Sequence, residues 1–400
     1  MDLANKKIVL GLTGGIACYK SAELLRLLTK AGAQVQVVMT EAAEQFITAV
    51  TMQALSGQPV YTSQWDARMA NNMPHIDLSR GADAIVIAPC STDFIAKLAH
   101  GLCDDLLSTL CIARDCPLLI APAMNKQMWE NAATQRNVTT LKTDGVTILG
   151  PDSGVQACGE TGAGRMLEAE QLFAEICAFF QPKVLAGKTV LVTAGPTFEP
   201  IDPVRGISNR SSGKMGFAIA RAAREAGAQV TLIAGPTAEP TPYGIERIDV
   251  QTAQQMHDAV HAHISHQHIF IAVAAVADWR VKTVSTSKLK KAHANDVPTL
   301  EFVQNPDILA SVAALSNAPY CVGFAAESDN LLEHGAAKRI RKGIPLLVGN
   351  VGPATFGADD NELILFDANG HINLQRADKL TLARQLLADI ARRLSKQQRA

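Results

Sequence analysis

The chain has 400 residues, of which 48% are hydrophobic, and its formal net charge at pH 7 is -1. This length and composition allow two domains with sizeable cores. The near-neutral charge argues against wholesale binding to nucleic acid or to an anionic membrane, so the expected partners are small molecules. The apolar run Ile8 to Leu12 is too short for a signal-peptide core or a membrane span, which predicts a soluble, cytoplasmic protein.

The chain opens in the same way twice. The stretches KKIVLGLTGG (Lys6 to Gly15) and GKTVLVTAGP (Gly187 to Pro196) each predict a buried strand that ends in a glycine-containing turn. Each stretch continues through a predicted helix to the same five residues, AGAQV, at Ala31 to Val35 and at Ala226 to Val230. Strand, glycine loop, helix and strand make a nucleotide-binding βαβ unit. We therefore predict an α/β protein with two Rossmann-like domains that meet near FFQPKVLAGK.

The remaining elements follow in chain order. The first helix has an apolar stripe, Leu24, Leu25, Leu27 and Leu28, and a stop signal at Gly32. Buried strands are predicted at DAIVIAPC, CPLLIAPA and VTILGP, and then at IFIAVAAVA, YCVGFAA and PLLVGN. In ELILFDANGHINLQ, Asn369-Gly370 lies between two strand-like runs, which predicts an antiparallel hairpin at the edge of the second sheet. An amphipathic helix from about Ala377 ends the fold.

The eight cysteines include no CxxC pair. Their spacing fits neither a disulfide framework nor a zinc site. We expect reduced thiols that lie mostly in the cores.

Neither glycine loop matches a common cofactor fingerprint. Thr13-Gly14-Gly15 lacks the GxGxxG spacing, and Ser212-Gly213-Lys214-Met215 fails as a P-loop because Met replaces the required Ser or Thr. Backbone amides at a helix N-terminus, with Thr13 and Thr40 nearby, can still hold a phosphate. The alternative is that these glycines serve only as the tight turns that βα connections need.

Three residues of the first half suggest chemistry, and each has a structural alternative. His75 precedes the segment that leads to a buried strand, although a lone histidine is more often structural or exposed. Asn125, in APAMNKQMW, either caps a helix or belongs to a site. Cys158 lies in PDSGVQACGETGAGRM, whose four glycines predict a mobile loop rather than a core. A cysteine on a flexible flap suggests a proton donor that closes over a substrate.

Two groups of basic residues stand out in the second half. Lys288 in KLKK, with Lys338 and Lys342 in KRIRK, either neutralises phosphates or forms a solvated basic face. The stretch HDAVHAHISHQH places five of the ten histidines between His257 and His268. We favour an exposed helix face for these histidines over a metal site, because no cysteine or acidic partner completes a ligand set.

These residues carry a resemblance to known families. His75 before an Ile-Asp-Leu run, PAMNxxMW (Pro122 to Trp129) and ACG (Ala157 to Gly159) resemble the flavin-dependent cysteine decarboxylases. The second half resembles the phosphopantothenate–cysteine ligases through six motifs, which are TAGPT (Thr193 to Thr197), ISNRSSGKMG (Ile207 to Gly216), AAVAD (Ala274 to Asp278), KLKK (Lys288 to Lys291), NPDI (Asn305 to Ile308) and GFAAE (Gly323 to Glu327). In this order the motifs are similar to those of the bacterial bifunctional enzymes of coenzyme A synthesis over nearly the whole chain.

The resemblance implies a reaction in two steps. Residues 187–400 would form a CTP-dependent ligase domain that joins cysteine to 4'-phosphopantothenate through an acyl-cytidylate. Residues 1–186 would form a flavodoxin-like, FMN-dependent decarboxylase domain of the HFCD type that converts phosphopantothenoylcysteine to 4'-phosphopantetheine. FMN would take electrons from the thiol to give a thioaldehyde, so that CO2 leaves easily, and would then reduce the remaining enethiolate. Mg2+ would bridge the CTP phosphates, although no carboxylate cluster marks a metal site by its spacing.

The resemblance also implies roles for single residues and an assembly. Asn125 would hold the substrate carboxylate or amide, His75 would act beside the flavin, and Cys158 would return a proton. Asn209 would act on the acyl intermediate and Lys288 on the phosphates. The FMN-binding residues would be Gly14, Gly15, Thr40, Pro89, Ser91 and Thr92. The CTP-binding residues would be Asp278, Lys288, Asn305, Pro306, Asp307, Ile308, Phe324, Lys338 and Lys342. Trimers of the flavin domain, with sites between subunits, would be joined through dimerising ligase domains into a dodecamer.

The sequence departs from the family pattern at two positions. Cys90 stands where a small residue is common, within the segment expected to line the flavin ring. Val351 stands where an Asp is expected after Asn350, so we do not assign Asn350 to the sites.

Two other classes of protein stay open. Two Rossmann domains would suit an NAD(P)-dependent oxidoreductase, but neither glycine loop has the dinucleotide spacing and no acidic residue lies at the expected distance. A regulatory flavoprotein that binds partners without turnover would explain the first half only, and it predicts that Cys158 is dispensable. Bound-cofactor absorbance and CTP-dependent release of pyrophosphate separate the three classes.

Overall fold

The computed structural model describes residues 2–66, 68, 73–290, 299–327, 330–351 and 357–397. The chain forms two compact units, Met1–Phe180 and Gln181–Ala400, which are called the first and second unit below. The domain limits predicted at residues 186 and 187 stay a prediction. Lys291 of the KLKK run and residues 352–356 lie outside the described residues.

The first unit is built on a five-stranded parallel sheet with the order β2-β1-β3-β4-β5. Its strands are β1 (Lys7–Leu12), β2 (Gln34–Met39), β3 (Ala84–Cys90), β4 (Leu118–Pro122) and β5 (Thr147–Ile148). Its helices are α1 (Cys18–Lys30), α2 (Glu41–Glu44), α3 (Ala49–Ser56), α4 (Pro74–Ser79), α5 (Thr92–His100), α6 (Leu106–Ala113), α7 (Lys126–Glu130), α8 (Ala132–Thr143) and α9 (Ala169–Phe180). This strand order is that of flavodoxin-like sheets, and the predicted fold class of the first half is confirmed.

The second unit contains an eight-stranded sheet with the order β12-β11-β8-β13-β16-β17-β18-β19. Its strands are β8 (Thr189–Ala194), β9 (Phe198–Pro200), β10 (Gly206–Ser208), β11 (Gln229–Ala234), β12 (Glu246–Asp249), β13 (Ile269–Ala272), β14 (Trp279–Val281), β15 (Phe302–Gln304), β16 (Tyr320–Glu327), β17 (Leu346–Val351), β18 (Asp360–Asp367) and β19 (Gly370–Asp378). Its helices are α10 (Lys214–Glu225), α11 (Ala253–His263), the 3-10 turn Ile264–His266, α12 (Ile308–Ala313), α13 (Leu331–Lys342) and α14 (Lys379–Gln397). Within the described residues, no helix of either unit is long and apolar enough to cross a membrane.

The edge of the second sheet has the predicted hairpin. In sheet order, β12, β11, β8, β13, β16 and β17 run parallel to one another. In contrast, β18 runs antiparallel to both β17 and β19. Asp367 pairs with Gly370 across the turn that contains Asn369, as the Asn-Gly signal predicts. The final helix begins at Lys379 and packs against α10, β18 and β19, with Leu382, Leu386 and Ile390 in the core.

The repeated AGAQV segment has the same structure in both units. Its glycine, Gly32 or Gly227, has a φ of 92° and follows the last turn of α1 or α10. Its glutamine starts a parallel strand: the N–H of Gln34 donates to the carbonyl of Lys6 at 2.8 Å, and that of Gln229 to the carbonyl of Lys188 at 2.9 Å. The sequence repeat therefore reflects one turn geometry that is used twice.

The sequence predicts a loop outside the core for the segment Pro151 to Met166, but most of this segment forms regular structure. Residues Asp152–Val155 (β6) and Thr161–Arg165 (β7) form an antiparallel hairpin. Its glycines permit close contacts: a Cβ on Gly162 would lie 2.5 Å from Cδ of Lys126, and one on Gly164 would lie 2.6 Å from the carbonyl oxygen of Met124. These glycines are needed for packing rather than for flexibility.

All eight cysteines are free thiols, and five of them are buried. Cys103 and Cys158 are exposed, and Cys158 lies in the turn that joins β6 to β7. The prediction that most of the thiols are buried is confirmed, and the sequence indicated one of the two exposed thiols, Cys158.

We predict that Gly32→Ala lowers the stability of the chain, because alanine pays about 1–2 kcal/mol to adopt a left-handed backbone conformation. Gly32→Asn is the matched control, since asparagine adopts positive φ more readily than alanine. The midpoint of urea unfolding, followed by circular dichroism, should fall in the order Gly, Asn, Ala. An alanine variant as stable as the parent would contradict the turn geometry.

Candidate active sites

A cavity of about 650 Å³ opens where the parallel strands of the first unit end. The strand order reverses between β1 and β3, and sheets of this kind bind ligands at such a reversal. The cavity is lined by the loop after β1, the starts of α5 and α7, and the β6–β7 hairpin. The predicted site residues among the lining are Gly14, Gly15, Ser91, Thr92, Asn125 and Cys158.

Thr13 fixes the glycine loop to the end of β3. Its buried hydroxyl donates to the carbonyl of Pro89 at 2.9 Å and accepts the N–H of Ser91 at 2.9 Å. The Ser91 hydroxyl in turn caps α5 by accepting the N–H of Phe94 at 3.2 Å. A Cβ on Gly14 would lie 2.7 Å from Cβ of Ala42, so glycine is required there for close packing.

The start of α1 suits an anion. The helix begins three residues after Gly15 and has no side-chain cap, so no side-chain oxygen covers its first turn. The N–H groups of Cys18 and Lys20 donate to the carbonyls of Gly15 and Ala17. The nearest thiol, Cys18, donates to the carbonyl of Thr13 at 3.3 Å, and burial raises its pKa to about 11. Cys18 is therefore protonated at neutral pH and belongs to the packing of the loop.

Asn125 is both a helix cap and a cavity residue. Its Oδ1 accepts the N–H of Met128 at 2.9 Å, which caps α7, and its Nδ2 donates to Oε1 of Gln127 at 2.9 Å. The same side chain lines the cavity. The two interpretations of Asn125 left open by the sequence are thus compatible, because the cap fixes the direction of the amide.

The β6–β7 hairpin is attached to α7 through two hydrogen bonds and to the residue before its cap through a third. The N–H of Lys126 donates to Oε1 of Gln156 at 2.9 Å, and Nε2 of Gln127 donates to Oε1 of Glu160 at 2.8 Å. The N–H of Met124 donates to the carbonyl of Gly164 at 2.9 Å. These contacts hold the turn with Cys158 beside Asn125.

Three predicted residues of the first unit do not line this cavity. Thr40 caps α2 by accepting the N–H of Ala43 at 3.3 Å. Pro89 lies at the end of β3, and His75 is half-buried on α4. The cavity residues that the sequence did not indicate individually are Tyr19, Lys20, Met124, Met128, Gln156 and Arg165. The two methionines belong to the PAMNxxMW motif, which could have indicated them, whereas Lys20 had no sequence signal.

A second cavity, of about 290 Å³, opens where β8, β13 and β16 of the second unit end. Asp278, Phe324 and Lys338 line it, as the sequence predicted for a nucleotide site. The further polar lining residues are Ser211, Ser212, Lys214, Asn350, Asn361 and Lys379. The Ser-Gly-Lys run does not match a P-loop and is not among the predicted site residues. Its position after a strand and before a helix could have indicated that it lines the cavity.

Two lysines make one side of the second cavity positive. Lys214 donates to Oδ1 of Asp359 at 2.6 Å and to the carbonyl of Gly357 at 3.1 Å, and Asp359 raises the pKa of Lys214. Lys379 is buried, and its ammonium group donates to the carbonyl of Ala358. Burial, together with the charge of Lys214, lowers the pKa of Lys379. A bound anion would favour the protonated form of Lys379.

Asn305 does not line the second cavity, but it fixes the position of a residue that does. It is buried, and its Nδ2 donates to the carbonyl of Ala277 at 2.8 Å while its N–H donates to the carbonyl of Asp278 at 2.9 Å. Its Oδ1 accepts from Nη1 of Arg280 at 3.0 Å. These contacts fix the turn that carries Asp278.

The other residues of the NPDI loop have structural contacts of their own. Asp307 caps α12 by accepting the N–H of Ala310 at 3.0 Å, and its carboxylate pairs with Lys342. Burial opposes ionisation of Asp307, but Lys342 and the N–H of Ala310 together lower its pKa. Ile308 is buried in the core and Pro306 is half-buried. The structure therefore does not bring these residues or Lys342 to the cavity lining.

Lys288 is exposed, but its neighbour Leu289 is firmly held. The N–H of Leu289 donates to Oδ2 of Asp202 at 3.2 Å, and its carbonyl accepts from Nη2 of Arg205 at 2.9 Å. The enclosed Asp202 carboxylate also binds the Arg205 guanidinium, which holds the pKa of Asp202 well below its usual range. This ion pair fixes the start of the KLKK segment.

Asn209 lies beside the second cavity rather than in it. Its Nδ2 donates to the carbonyl of Ala275 at 2.9 Å, and Ala275 lines the cavity. Its exposed position leaves it accessible to a ligand that extends beyond the cavity.

The histidine-rich helix contains two histidine rings in contact, tilted by 43°. The ring centroids of His257 and His261 are 4.4 Å apart, and Nε2 of His261 lies 2.8 Å from the hydroxyl oxygen of Ser311. Burial, followed by the charge of His257, lowers the pKa of His261. In the part of the chain that the structure describes, no group of three or more His, Cys, Asp or Glu side chains is arranged to hold a metal ion.

Family models match both halves of the chain. The model described as Flavoprotein matches residues 1–181. The model described as DNA/pantothenate metabolism flavoprotein C-terminal domain matches residues 185–394, which is more than half of the chain.

Two similar solved structures each cover one half of the chain. The C-terminal domain of a coenzyme A biosynthesis bifunctional protein CoaBC is 36% identical with a TM-score of 0.46, and the match covers 54% of this chain and 99% of that one. A PPC decarboxylase mutant complexed with pantothenoylaminoethenethiol is 31% identical with a TM-score of 0.41, and the match covers 44% of this chain and 98% of that one.

Similar full-length proteins extend over the whole chain. The coenzyme A biosynthesis bifunctional protein CoaBC of Vibrio cholerae is 51% identical over 386 residues, which cover 96% of this chain and 97% of that protein. The protein of the same name from Escherichia coli K12 is 49% identical, with complete coverage of both chains. The chain therefore belongs to the family of bifunctional coenzyme A biosynthesis enzymes, with a flavoprotein decarboxylase domain followed by a ligase domain, as the motifs predicted.

Proposed function

We propose that the second unit joins cysteine to 4'-phosphopantothenate with CTP and Mg2+, and that the first unit decarboxylates phosphopantothenoylcysteine to 4'-phosphopantetheine with FMN. We place both reactions in the cytoplasm. The observation that carries the proposal is the meeting of the glycine loop, Asn125 and Cys158 in one cavity of the first unit. Family membership supports the same pair of activities.

The lining of the first cavity fits FMN. Met124, Met128 and Tyr19 offer apolar surface for a flat ring, while the uncapped start of α1 offers N–H groups for a phosphate. Bound FMN supplies the electron sink that decarboxylation of a cysteine amide requires, because loss of CO2 alone would leave an unstabilised carbanion. We assign Gly14 and Gly15 to the phosphate side, and we propose the same for Thr40 although it caps α2 outside the cavity lining.

The chain's own residues orient the substrate and move its protons. The amide of Asn125 both donates and accepts without adding charge, so it holds the substrate carboxylate or amide, and the α7 cap keeps it in place. The exposed thiol of Cys158 returns a proton to the product. His75 does not line the cavity of its own subunit, so its role beside the flavin requires a site shared between subunits of the proposed trimer.

The ligase reaction needs an activated carboxylate and a neutralised triphosphate. A free carboxylate is a poor electrophile, and we propose that its acyl-cytidylate reacts with the amine of cysteine. Lys338, Lys214 and Lys379 supply positive charge at the cavity, while Lys288 adds charge from its tethered segment. Asn209 contacts the intermediate from the edge of the cavity. Lys342 reaches the nucleotide only by exchanging its partner Asp307 for phosphate.

We predict that Cys158→Ser keeps its yellow cofactor but loses steady-state formation of CO2 and 4'-phosphopantetheine by roughly 100-fold, because a serine hydroxyl is a far weaker proton donor than a thiol. The measurement supplies phosphopantothenoylcysteine to the full chain and follows both products. Cys103→Ser removes the other exposed thiol and should match the parent. A fully active Cys158→Ser variant would favour the regulatory flavoprotein instead.

We predict that Lys288→Gln lowers CTP-dependent release of pyrophosphate by roughly 100-fold, because a charged donor to the phosphates is lost. The assay contains 4'-phosphopantothenate, cysteine, CTP and Mg2+. Lys290→Gln, a second exposed lysine of the same run, is the control. Decarboxylation of added phosphopantothenoylcysteine should be unchanged in both variants. A colourless parent that releases neither pyrophosphate nor CO2 would rule out both proposed activities.

We predict that Asp202→Ala releases the segment with Lys288, because the N–H of Leu289 loses its acceptor. Hydrogen exchange at Leu289 should become faster, and the KM for CTP should rise. In the parent the lowered pKa keeps Asp202 ionised, so protection should be constant between about pH 5 and 8 and be lost only as the pH falls through that lowered value. The control is Asp258→Ala, which removes an exposed carboxylate of α11. Equal exchange at Leu289 in all three proteins would refute the tether.

A further inference from the structure

Lys20 is a buried lysine on the helix that follows the glycine loop. It is 5% exposed and lines the first cavity. Its ammonium group donates to the carbonyl of Met166 at 2.9 Å and to Oε1 of Glu168 at 2.8 Å. Both acceptors lie just beyond β7, so this lysine joins α1 to the base of the β6–β7 hairpin.

Glu168 receives a second cation from the hairpin itself. Nη2 of Arg165 donates to the same oxygen, Oε1, at 2.8 Å. The hydrogen bond from Lys20 is the main cause of the lowered pKa of Glu168, and Arg165 adds to it. Glu168 also leads into α9, since its carbonyl accepts the N–H of Leu172 at 2.9 Å. The carboxylate of Glu168 therefore joins α1 to the end of β7, and its backbone carbonyl adds the start of α9.

Arg165 extends this connection across the hairpin. A Cβ on Gly154 of β6 would lie 2.8 Å from Nη1 and 3.4 Å from Cδ of Arg165. The guanidinium thus lies over the backbone of the opposite strand, in space that only glycine leaves open. The group formed by Lys20, Glu168 and Arg165 is called the base anchor below.

The burial of Lys20 makes the base anchor a strong constraint. A buried ammonium group that loses its partners carries a large desolvation penalty, so Lys20 favours the conformations in which Met166 and Glu168 stay in place. At the other end of the hairpin, Gln156 and Glu160 contact α7. The hairpin that carries Cys158 is therefore held by two attachments. The base anchor is the one that connects it, through Lys20 on α1, to the glycine loop.

We propose that Lys20 is a positioning residue: through the base anchor it sets the position of the Cys158 thiol relative to the cofactor loop. This inference rests on the proposed role of Cys158 in the first unit. It predicts that loss of Lys20 impairs the step that needs the thiol more than the binding of FMN or substrate.

The first test measures the reactivity of the thiol without substrate. The full-length parent and Lys20→Met, whose side chain has a similar length but no charge, are treated with iodoacetamide, and alkylation is mapped by peptide mass spectrometry. Cys103, the other exposed thiol, serves as an internal reference. We expect the ratio of alkylation at Cys158 to that at Cys103 to rise several-fold in Lys20→Met. Lys30→Met, at the exposed end of the same helix, should leave the ratio unchanged.

The second test measures how turnover divides between two products. After oxidation by two electrons and loss of CO2, the substrate is an enethiol, which becomes 4'-phosphopantetheine by gaining two electrons and two protons. A misplaced Cys158 slows only this gain. We expect Lys20→Met to keep its FMN and its KM and to lose roughly 10- to 100-fold in kcat for 4'-phosphopantetheine. Enethiol should accumulate to at most one equivalent per bound cofactor, because each enethiol leaves two electrons on the cofactor. Glu168→Gln keeps the shape of the anchor without its charge and should show the same changes to a smaller extent.

Specific results would overturn the inference. An unchanged alkylation ratio and an unchanged product ratio in a folded, flavin-loaded Lys20→Met would exclude a positioning role. Loss of FMN in proportion to activity, with normal reactivity of Cys158, would assign Lys20 to direct contact with the cofactor instead. The alkylation test needs no turnover, so a parent protein without decarboxylase activity would contradict the proposed function while the base anchor was still measured.

Discussion

Parallel pairing of the first strand in each unit is the constraint on which both sites depend. Because β1 pairs with β2 and β3 in one direction, and β8 pairs likewise with β11 and β13, their carboxyl ends meet at one edge of each sheet. A threonine then connects two strand ends in both units. Thr13 binds the carbonyl of Pro89 and the N–H of Ser91, while Thr193, at the end of β8, accepts the N–H of Ala274 at 3.4 Å. These hydrogen bonds hold the loops at each sheet edge in the positions between which a cavity opens.

Helix caps provide much of the polar lining of the first cavity. Ser91 caps α5 and Asn125 caps α7, and both side chains face the same cavity. A cap is worth about 1 kcal/mol to its helix, so each side chain is fixed by an interaction that does not depend on a ligand. A side chain whose orientation is fixed in this way loses little entropy when it binds. Asn125 can therefore both cap α7 and bind a ligand, because the cap already fixes the orientation of its amide.

The sequence predicted the sheets well because strands buried on both faces leave continuous apolar runs, as in β3 and β4. It failed where a residue's surroundings come from far along the chain. Lys20 on an amphipathic helix looks like a solvated residue, but its partner Glu168 is 148 positions away. Likewise, the glycines of β7 suggested a flexible loop. Their packing against Lys126 and Met124 could not be predicted, because no local pattern reveals it. The motifs identified the family, whereas only the fold reveals that His75, Lys288 and Lys342 lie outside the cavity linings of a single chain.

Each cavity contains one buried lysine, and the two are neutralised differently. Lys20 and Lys379 are the buried lysines among the described residues, and each donates to a backbone carbonyl, which satisfies a donor without cancelling its charge. Lys20 also meets the carboxylate of Glu168, which it shares with Arg165, so one negative charge offsets part of the charge of these two cations. For Lys379, burial and then the charge of Lys214 lower the pKa. A bound polyanion would favour the protonated form of Lys379. Binding of an anionic ligand in the second cavity would thus offset both the burial and the neighbouring charge that disfavour the protonated lysine.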